Sequence, residues 1–199
     1  MIIDFWFEFA STYSYPAAMR VADMAGRAGV SLRWRPFLLG PIFRDHGWND
    51  SPFNLYPAKG RYMWRDMERL CEQQGLPLQR PSQFPRNGLL AARLAARFEQ
   101  EPWIGSFVRG VYKANFAQDH EISDPAVVAS VLEAIGQPAS VLAQAESPEA
   151  KSRLRSNTEE AVALGIFGAP SFVVDRELFW GNDRLEQALD WANRSPRPA

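Results

Sequence analysis

The sequence predicts an α/β fold: a small mixed β-sheet with helices on both faces, split by a long all-helical insertion. Three observations predict it. Alternating apolar strands lie near both ends of the chain, a helical segment joins the first two strands, and helix signals run almost without interruption through the middle. At 199 residues the length suits one domain, or one domain carrying a large insertion.

Ile2 to Phe9 alternates, with Ile3, Phe5, Phe7 and Phe9 on one side and Asp4, Trp6 and Glu8 on the other, so it reads as a strand whose second face is not wholly polar. Ser11-Thr12-Tyr13-Ser14 opens a helix over Pro16 to Arg27, with the proline in a first turn where its missing N–H costs nothing. Gly29 punctuates, and Ser31 to Phe37 reads as a second strand, parallel to the first through a right-handed crossover. Ile42 to about Gly60 reads as irregular, with Gly47, Pro52 and Pro57. Helices are then expected over Arg61 to Gln74, Asn87 to Glu99 and Trp103 to about Phe116, followed by two that start at Asp124-Pro125 and Ser147-Pro148 and end near Gly136 and Gly165. Ser171 to Val174 and Glu177 to Trp180 flank the two-residue gap Asp175-Arg176, a hairpin signal, and a last helix covers Arg184 to Trp191. The tail Ser195 to Ala199 reads as loose.

Composition excludes several classes of function. With 46% apolar and 23% charged residues the chain is globular rather than disordered, and a net charge of −1 offers nothing to nucleic acid or an anionic membrane. A single cysteine, Cys71, excludes a disulfide framework, a CxxC redox pair and a thiolate-rich metal site. It sits in a helix interior and reads as a packed residue, while His46 and His120 lack ligand spacing. The start MIIDFWFEF has no basic segment before its apolar residues, and no run approaches the roughly 18 apolar residues of a membrane span, so a cytoplasmic protein is expected.

The element order, with the insertion set aside, is the thioredoxin arrangement. Residues 1–40 and 165–199 would form a thioredoxin-like domain and 41–164 a helical insertion domain. In such a fold the turn after the first strand carries the reactive thiol, at a helix N-terminus that favours an anion. Here that turn reads Ser11-Thr12-Tyr13-Ser14, with serine at both CxxC cysteine positions. Serine cannot exchange disulfides, but its hydroxyl can donate to another molecule's thiolate; a plain N-cap or ST-turn serine is the alternative. Ala169-Pro170, before a strand, stands where these folds keep a cis peptide, giving Ala169 a main-chain edge for an extended peptide; an isolated X-Pro bond, cis in about 5% of cases, would read as an ordinary trans turn. Gly181-Asn182-Asp183 suits a helix cap or the α-amino and α-carboxyl groups of a γ-glutamyl unit. Lys59, at a helix entry, suits a terminal carboxylate or a solvated face, and Trp48 and Trp64 are candidates for an aromatic pocket.

These segments, with Pro57-Ala58-Lys59-Gly60-Arg61-Tyr62, Gly165-Ile166-Phe167-Gly168-Ala169-Pro170 and Phe179-Trp180-Gly181-Asn182-Asp183-Arg184-Leu185, together resemble the 2-hydroxychromene-2-carboxylate isomerase family. That family is similar to the kappa-class glutathione transferases within the DsbA-like set. The resemblance implies bound glutathione with Ser11 beside its sulfur, Ala169 and Pro170 along the cysteinyl unit, Trp180, Gly181, Asn182 and Asp183 around the γ-glutamyl end, and Lys59 at the glycyl end. It places Asp66 at the edge of the site, across a homodimer interface, and Phe53, Asn54, Arg86 and Asn87 on the side of a small aromatic carboxylate substrate, with Arg86 as the cation for that carboxylate. Where the family often has proline after the first serine, this chain has Thr12, which gives up some rigidity of the turn. The implied activity is glutathione-dependent cis–trans isomerisation by reversible thiolate addition, in aromatic (naphthalene-type) catabolism. Two rivals share the fold: a kappa-like glutathione transferase or peroxidase that consumes glutathione, and a peptide-binding module without catalysis.

Overall fold

The computed structural model describes residues 1–194; the tail read as loose, Ser195 to Ala199, lies outside the described residues. Four strands form one sheet in the order β2-β1-β3-β4, with β1 (Ile2–Phe7), β2 (Ser31–Pro36), β3 (Ser171–Val174) and β4 (Glu177–Trp180). β1 and β2 run parallel, with Phe5 opposite Trp34, and β3 is antiparallel to both β1 and β4. The β3–β4 turn places Asp175 and Arg176 at φ of 47° and 70°, the double left-handed conformation that a two-residue hairpin requires.

Both faces of β1 are covered. Ile3, Phe5 and Phe7 enter the main core, where Phe5 stacks on Phe7 at 5.3 Å and on Phe172 at 5.4 Å beneath α1 (Ser14–Arg27), α6 (Ile104–Phe116) and α9 (Leu185–Ala192). Trp6 enters a second core with Phe37, Ile42, Ala161, Ile166 and Val173, under α2 (Leu39–Asp45) and α8 (Pro148–Ala163). That second core is why the outward face of the first strand is not polar in sequence.

An ion network, buried at Arg35 and Glu99 and open to solvent at Arg153 and Glu160, ties the helical layer to the sheet. Arg35 of β2 lies 4.7 Å over the Trp6 ring and pairs with Glu99, at 3.6 Å, and with Glu160 of α8. Glu99 follows α5 (Leu89–Arg97) and also receives Arg153 and, at 3.2 Å, the Asn157 amide, which donates to the Pro36 carbonyl as well. Asn157 is wholly buried, so its amide is committed to this junction.

The stretch expected to be irregular departs most from the sequence reading. It contains the second half of α2, a single helical turn α3 (Pro52–Leu55), and the start of α4 (Pro57–Gln74), which begins four residues before the expected Arg61. Pro57 occupies the first turn of α4, and Gly60 is not a breaker there. A Cβ on Gly60 would lie 2.3 Å from the Phe53 carbonyl oxygen, so glycine is what lets α3 pack backbone to backbone on α4. Residues Ala139–Glu146, between α7 (Pro125–Ala134) and α8, form a 3-10 segment that the sequence reading did not assign. α5 starts at Leu89 rather than Asn87 because the Asn87 side chain accepts the Leu89 N–H.

Glu99 is 10% exposed and Arg35 9%. Glu99→Ala leaves Arg35 with Glu160 alone and takes a partner from Arg153 and Asn157, and lowers stability by about 2 kcal/mol, read from urea midpoints at neutral pH.

Candidate active site

β1 ends at Phe7 because the Glu8 carbonyl is taken by the turn: it accepts the Ser11 N–H at 3.0 Å and the Tyr112 hydroxyl at 2.9 Å. The turn opens onto a cleft of about 1720 Å³. Its walls come from the Glu8–Tyr13 turn, α2 and the loop after it, α4, the Phe84–Leu89 loop, Phe167 to Pro170, and Trp180 to Arg184. A pocket for one small ligand measures roughly 300–1,000 Å³, so the cleft has room for two.

Ser11 does not cap its helix. Tyr13 is the N-cap of α1, without a side-chain cap bond, and the Ser11 hydroxyl donates across the cleft floor to the Ala169 carbonyl at 2.8 Å. The Ala169–Pro170 peptide is cis, as the fold analogy expects, and the Ala169 N–H has no partner among the described residues. Thr12 is buried, its hydroxyl donates to Met63 Sδ at 3.1 Å, and its carbonyl accepts the Tyr15 N–H, so the turn is fixed without a proline.

Trp180 is 53% exposed and packs against Phe167, with ring centres 4.8 Å apart and planes tilted by 60°. A Cβ on Gly168 would sit 2.4 Å from Trp180 Nε1, so only glycine admits the indole there. Gly181 donates to the Pro170 carbonyl at 2.9 Å, joining the hairpin exit to the cis proline. Asn182 is buried and held by Arg20 at 3.0 Å, while the exposed Asp183 pairs with Arg184 at 3.2 Å. Lys59 rests 4.8 Å from the Tyr56 ring centre, with no carboxylate partner among the described residues. Asp66 accepts the Tyr13 hydroxyl at 3.0 Å and Arg69 at 3.1 Å; burial, and then that carboxylate, hold the Tyr13 hydroxyl protonated well above the usual phenol range.

All the residues expected at the site line this cleft except Asn54, whose amide bonds Asp50 at 3.1 Å and the Phe84 carbonyl at 3.3 Å. Phe53 lines it beside Tyr13, and Asn87 lines it as well. Arg86 lines the wall, but its guanidinium is buried among Asn115, Ser82, Asp119 and Glu121. It braces the loop, and its charge is already matched by two carboxylates. Trp48 lines the cleft against Phe43 at 5.6 Å, whereas Trp64 lies in the core against Phe84. Burial pushes the Cys71 thiol up to about 11, which leaves it no nucleophile.

Two charged cleft residues that have no charged partner among the described residues, Arg44 and Glu8, were not singled out in the sequence. Arg44 of α2 is exposed and has no acidic partner among the described residues. Glu8 looked like an outward-facing strand residue; burial lifts its carboxyl to about 7, with the Ala10 N–H bond pulling the other way. Among the described residues no group of histidine, cysteine and acidic side chains suits a metal, and no helix is long and apolar enough to cross a membrane.

The family model described as a DSBA-like thioredoxin domain matches residues 2–191. The chain belongs to that family. Within the DSBA-like family it is 32% identical, over 92% of its length and 94% of the relative's, to 2-hydroxychromene-2-carboxylate isomerase of Sphingobium xenophagum. It is 26% identical to glutathione S-transferase kappa 1 of Homo sapiens, over 92% and 87% of the two chains. The solved structure of a 2-hydroxychromene-2-carboxylate isomerase superposes with a TM-score of 0.86 at 26% identity, covering 96% and 94% of the two chains. The resemblance carried by the sequence motifs, and the DsbA-like fold with it, are thereby shown.

Ionising Glu8 disfavours the fold. Its folded value of about 7 stands above the ordinary 4.5, so its stabilising contribution is full below about pH 4.5 and is lost as pH rises through about 7. Between pH 5 and 8 the wild type should lose on the order of 2 kcal/mol relative to Glu8→Gln, measured by urea unfolding at both pH values.

Proposed function

We propose that this DSBA-like protein is a glutathione-dependent isomerase that interconverts 2-hydroxychromene-2-carboxylate and trans-o-hydroxybenzylidenepyruvate in aromatic catabolism. One observation carries the reading. A serine replaces the thiol of the fold, and its hydroxyl faces a main-chain edge whose N–H is unpartnered, inside a cleft with room for a tripeptide and an aromatic acid. The isomerase and kappa-class relatives supply the substrate and cofactor classes.

The residues present fit glutathione. The free Ala169 N–H would pair with the main chain of the cysteinyl unit, Trp180 to Asp183 would receive the γ-glutamyl end, and Lys59 has an unmatched charge for the glycyl carboxylate. Asp66, held by Tyr13 and Arg69, would complete the site at the edge of the same cleft, with a homodimer as the assembly. When bound, glutathione supplies a sulfur nucleophile whose reversible addition to a conjugated carbon lets a double bond rotate. Ser11 would turn its hydroxyl from the Ala169 carbonyl to donate a hydrogen bond to that sulfur, keeping its own proton and favouring the anion, each unit of pKa being worth about 1.4 kcal/mol. Phe43, Trp48 and Phe53 give the aromatic acid an apolar wall that excludes water. Arg44, whose charge is unmatched, takes over from Arg86 the role of meeting the substrate carboxylate. A reducing cytoplasm, where glutathione is held, is the matching compartment.

The kappa-class relative favours a second reading, a transferase that uses up glutathione on other electrophiles. Purified protein is mixed with 2-hydroxychromene-2-carboxylate with and without glutathione, while the ultraviolet spectrum and the remaining thiol are followed. Conversion that needs glutathione and leaves the thiol titre constant is expected; thiol consumed in step with substrate would establish the transferase. Ser11→Ala should slow conversion by roughly 10- to 100-fold, the loss of a hydrogen bond to a charged group. Arg44→Gln should raise KM roughly fivefold with kcat little changed, as expected for an exposed charge pair, and should leave glutathione affinity intact.

A further inference from the structure

The cleft needs somewhere to put a proton. If Ser11 is to sit beside an anionic sulfur, the thiol proton must leave, and a serine hydroxyl that donates to the sulfur cannot also accept from it. Four acidic residues line the cleft, as does Ala10, whose N–H the Glu8 carboxylate accepts. Asp66 is occupied by Tyr13 and Arg69, Asp183 by Arg184, and Asp50 by Asn54 and the Ser51 N–H. The Glu8 carboxylate has no side-chain partner and no ion pair among the described residues. Its one carboxylate bond is from the Ala10 N–H at 3.1 Å, to Oε2.

We propose that Glu8 is the base of this site: its carboxylate takes the proton of the incoming glutathione thiol and keeps it while the sulfur is anionic. This rests on the glutathione reading above. The geometry puts Glu8 on the Ser11 turn itself, because its own carbonyl accepts the Ser11 N–H and the Tyr112 hydroxyl, which fixes the residue from the turn and from α6 together. The groups that face it are the Ala10 N–H from its own turn and Tyr112 from α6, whose phenol burial holds protonated; the charges of Arg44, Lys59, Asp66 and Arg86 line other walls of the same cleft. The transfer balances. The S–H bond breaks, an O–H bond forms on Glu8, the electron pair stays on sulfur, and the site carries one negative charge before and after. Two adjacent anions would repel, so an anionic sulfur raises the proton affinity of Glu8 and holds the proton in place. Burial already sets the Glu8 carboxyl near 7, so at pH 8 it is mostly ionised and ready to accept.

The test counts protons. Glutathione binding to the wild type and to Glu8→Gln is measured by titration calorimetry at pH 8 in two buffers of different ionisation enthalpy, with the ultraviolet absorbance of the thiolate recorded alongside. The wild type should show thiolate absorbance with almost no net proton release. Glu8→Gln should release about 0.75 proton, the protonated fraction at this pH of a thiol with pKa near 8.5. Thiolate absorbance with that same release from the wild type overturns the proposal without any variant, so it stays testable should Glu8→Gln fold poorly. Binding without thiolate absorbance in the wild type also overturns it. A wild type that does not bind glutathione at all overturns the glutathione reading and this proposal with it.

Discussion

Strand β1 is hydrogen-bonded on both edges and buried on both faces, and the cleft is hung from its end. β2 and β3 fix its register, the Phe5 and Phe7 stack fixes one face, and Trp6 with Phe37 fixes the other. A strand held on four sides cannot slip by one residue without turning Phe5 and Phe7 into the wrong core. The position of Ser11 therefore follows from the packing of residues that make no contact with the cleft. The same rigidity reaches the opposite wall, since β3 starts directly after Pro170 and pairs with β1 through Ser171 and Trp6.

The helical layer does more than cover the sheet. Arg35, Glu99, Arg153, Asn157 and Glu160 join β2 to α5 and α8 at a place where apolar contact alone would leave the helices free to slide. On the cleft side, α4 brings Lys59, Tyr62 and Asp66 to the turn, and the glycine contact at Gly60 sets how closely α3 follows. Charges near the turn are mostly matched within the chain, which makes the few unmatched ones, Glu8, Arg44 and Lys59, stand out chemically.

Much of this was legible in the sequence, and the reasons differ by element. The strands at the two ends announced themselves by alternation, and the helices starting at Asp124 and Ser147 by side chains that cap them in the structure as they do on paper. Ser11, Ala169 and the Gly181–Asp183 run were readable because each lies at a turn whose place in the fold follows from element order. The stretch from Leu39 to Gly60 was not, because its helices are short and one depends on a glycine that locally reads as a breaker. Arg86 was misplaced for a related reason. What decides its role is Asp119 and Asn115, some 30 residues on, and no local pattern reveals a partner brought in by tertiary packing. Glu8 shows the reverse, a residue that fits the polar half of a strand pattern but whose strand stops one residue earlier.

Cys71, the one cysteine of the chain, is packed out of reach in α4, and the turn that elsewhere holds a reactive thiol holds Ser11 instead. A protein arranged this way owns no sulfur that an oxidant or an alkylating quinone can spoil at the working position. If the nucleophile is borrowed, so is its vulnerability: a damaged molecule of glutathione departs and is replaced, and the catalyst outlives it. For a protein proposed to handle products of aromatic oxidation, that division between a durable scaffold and an expendable sulfur is a form of self-protection written into the first turn of the fold.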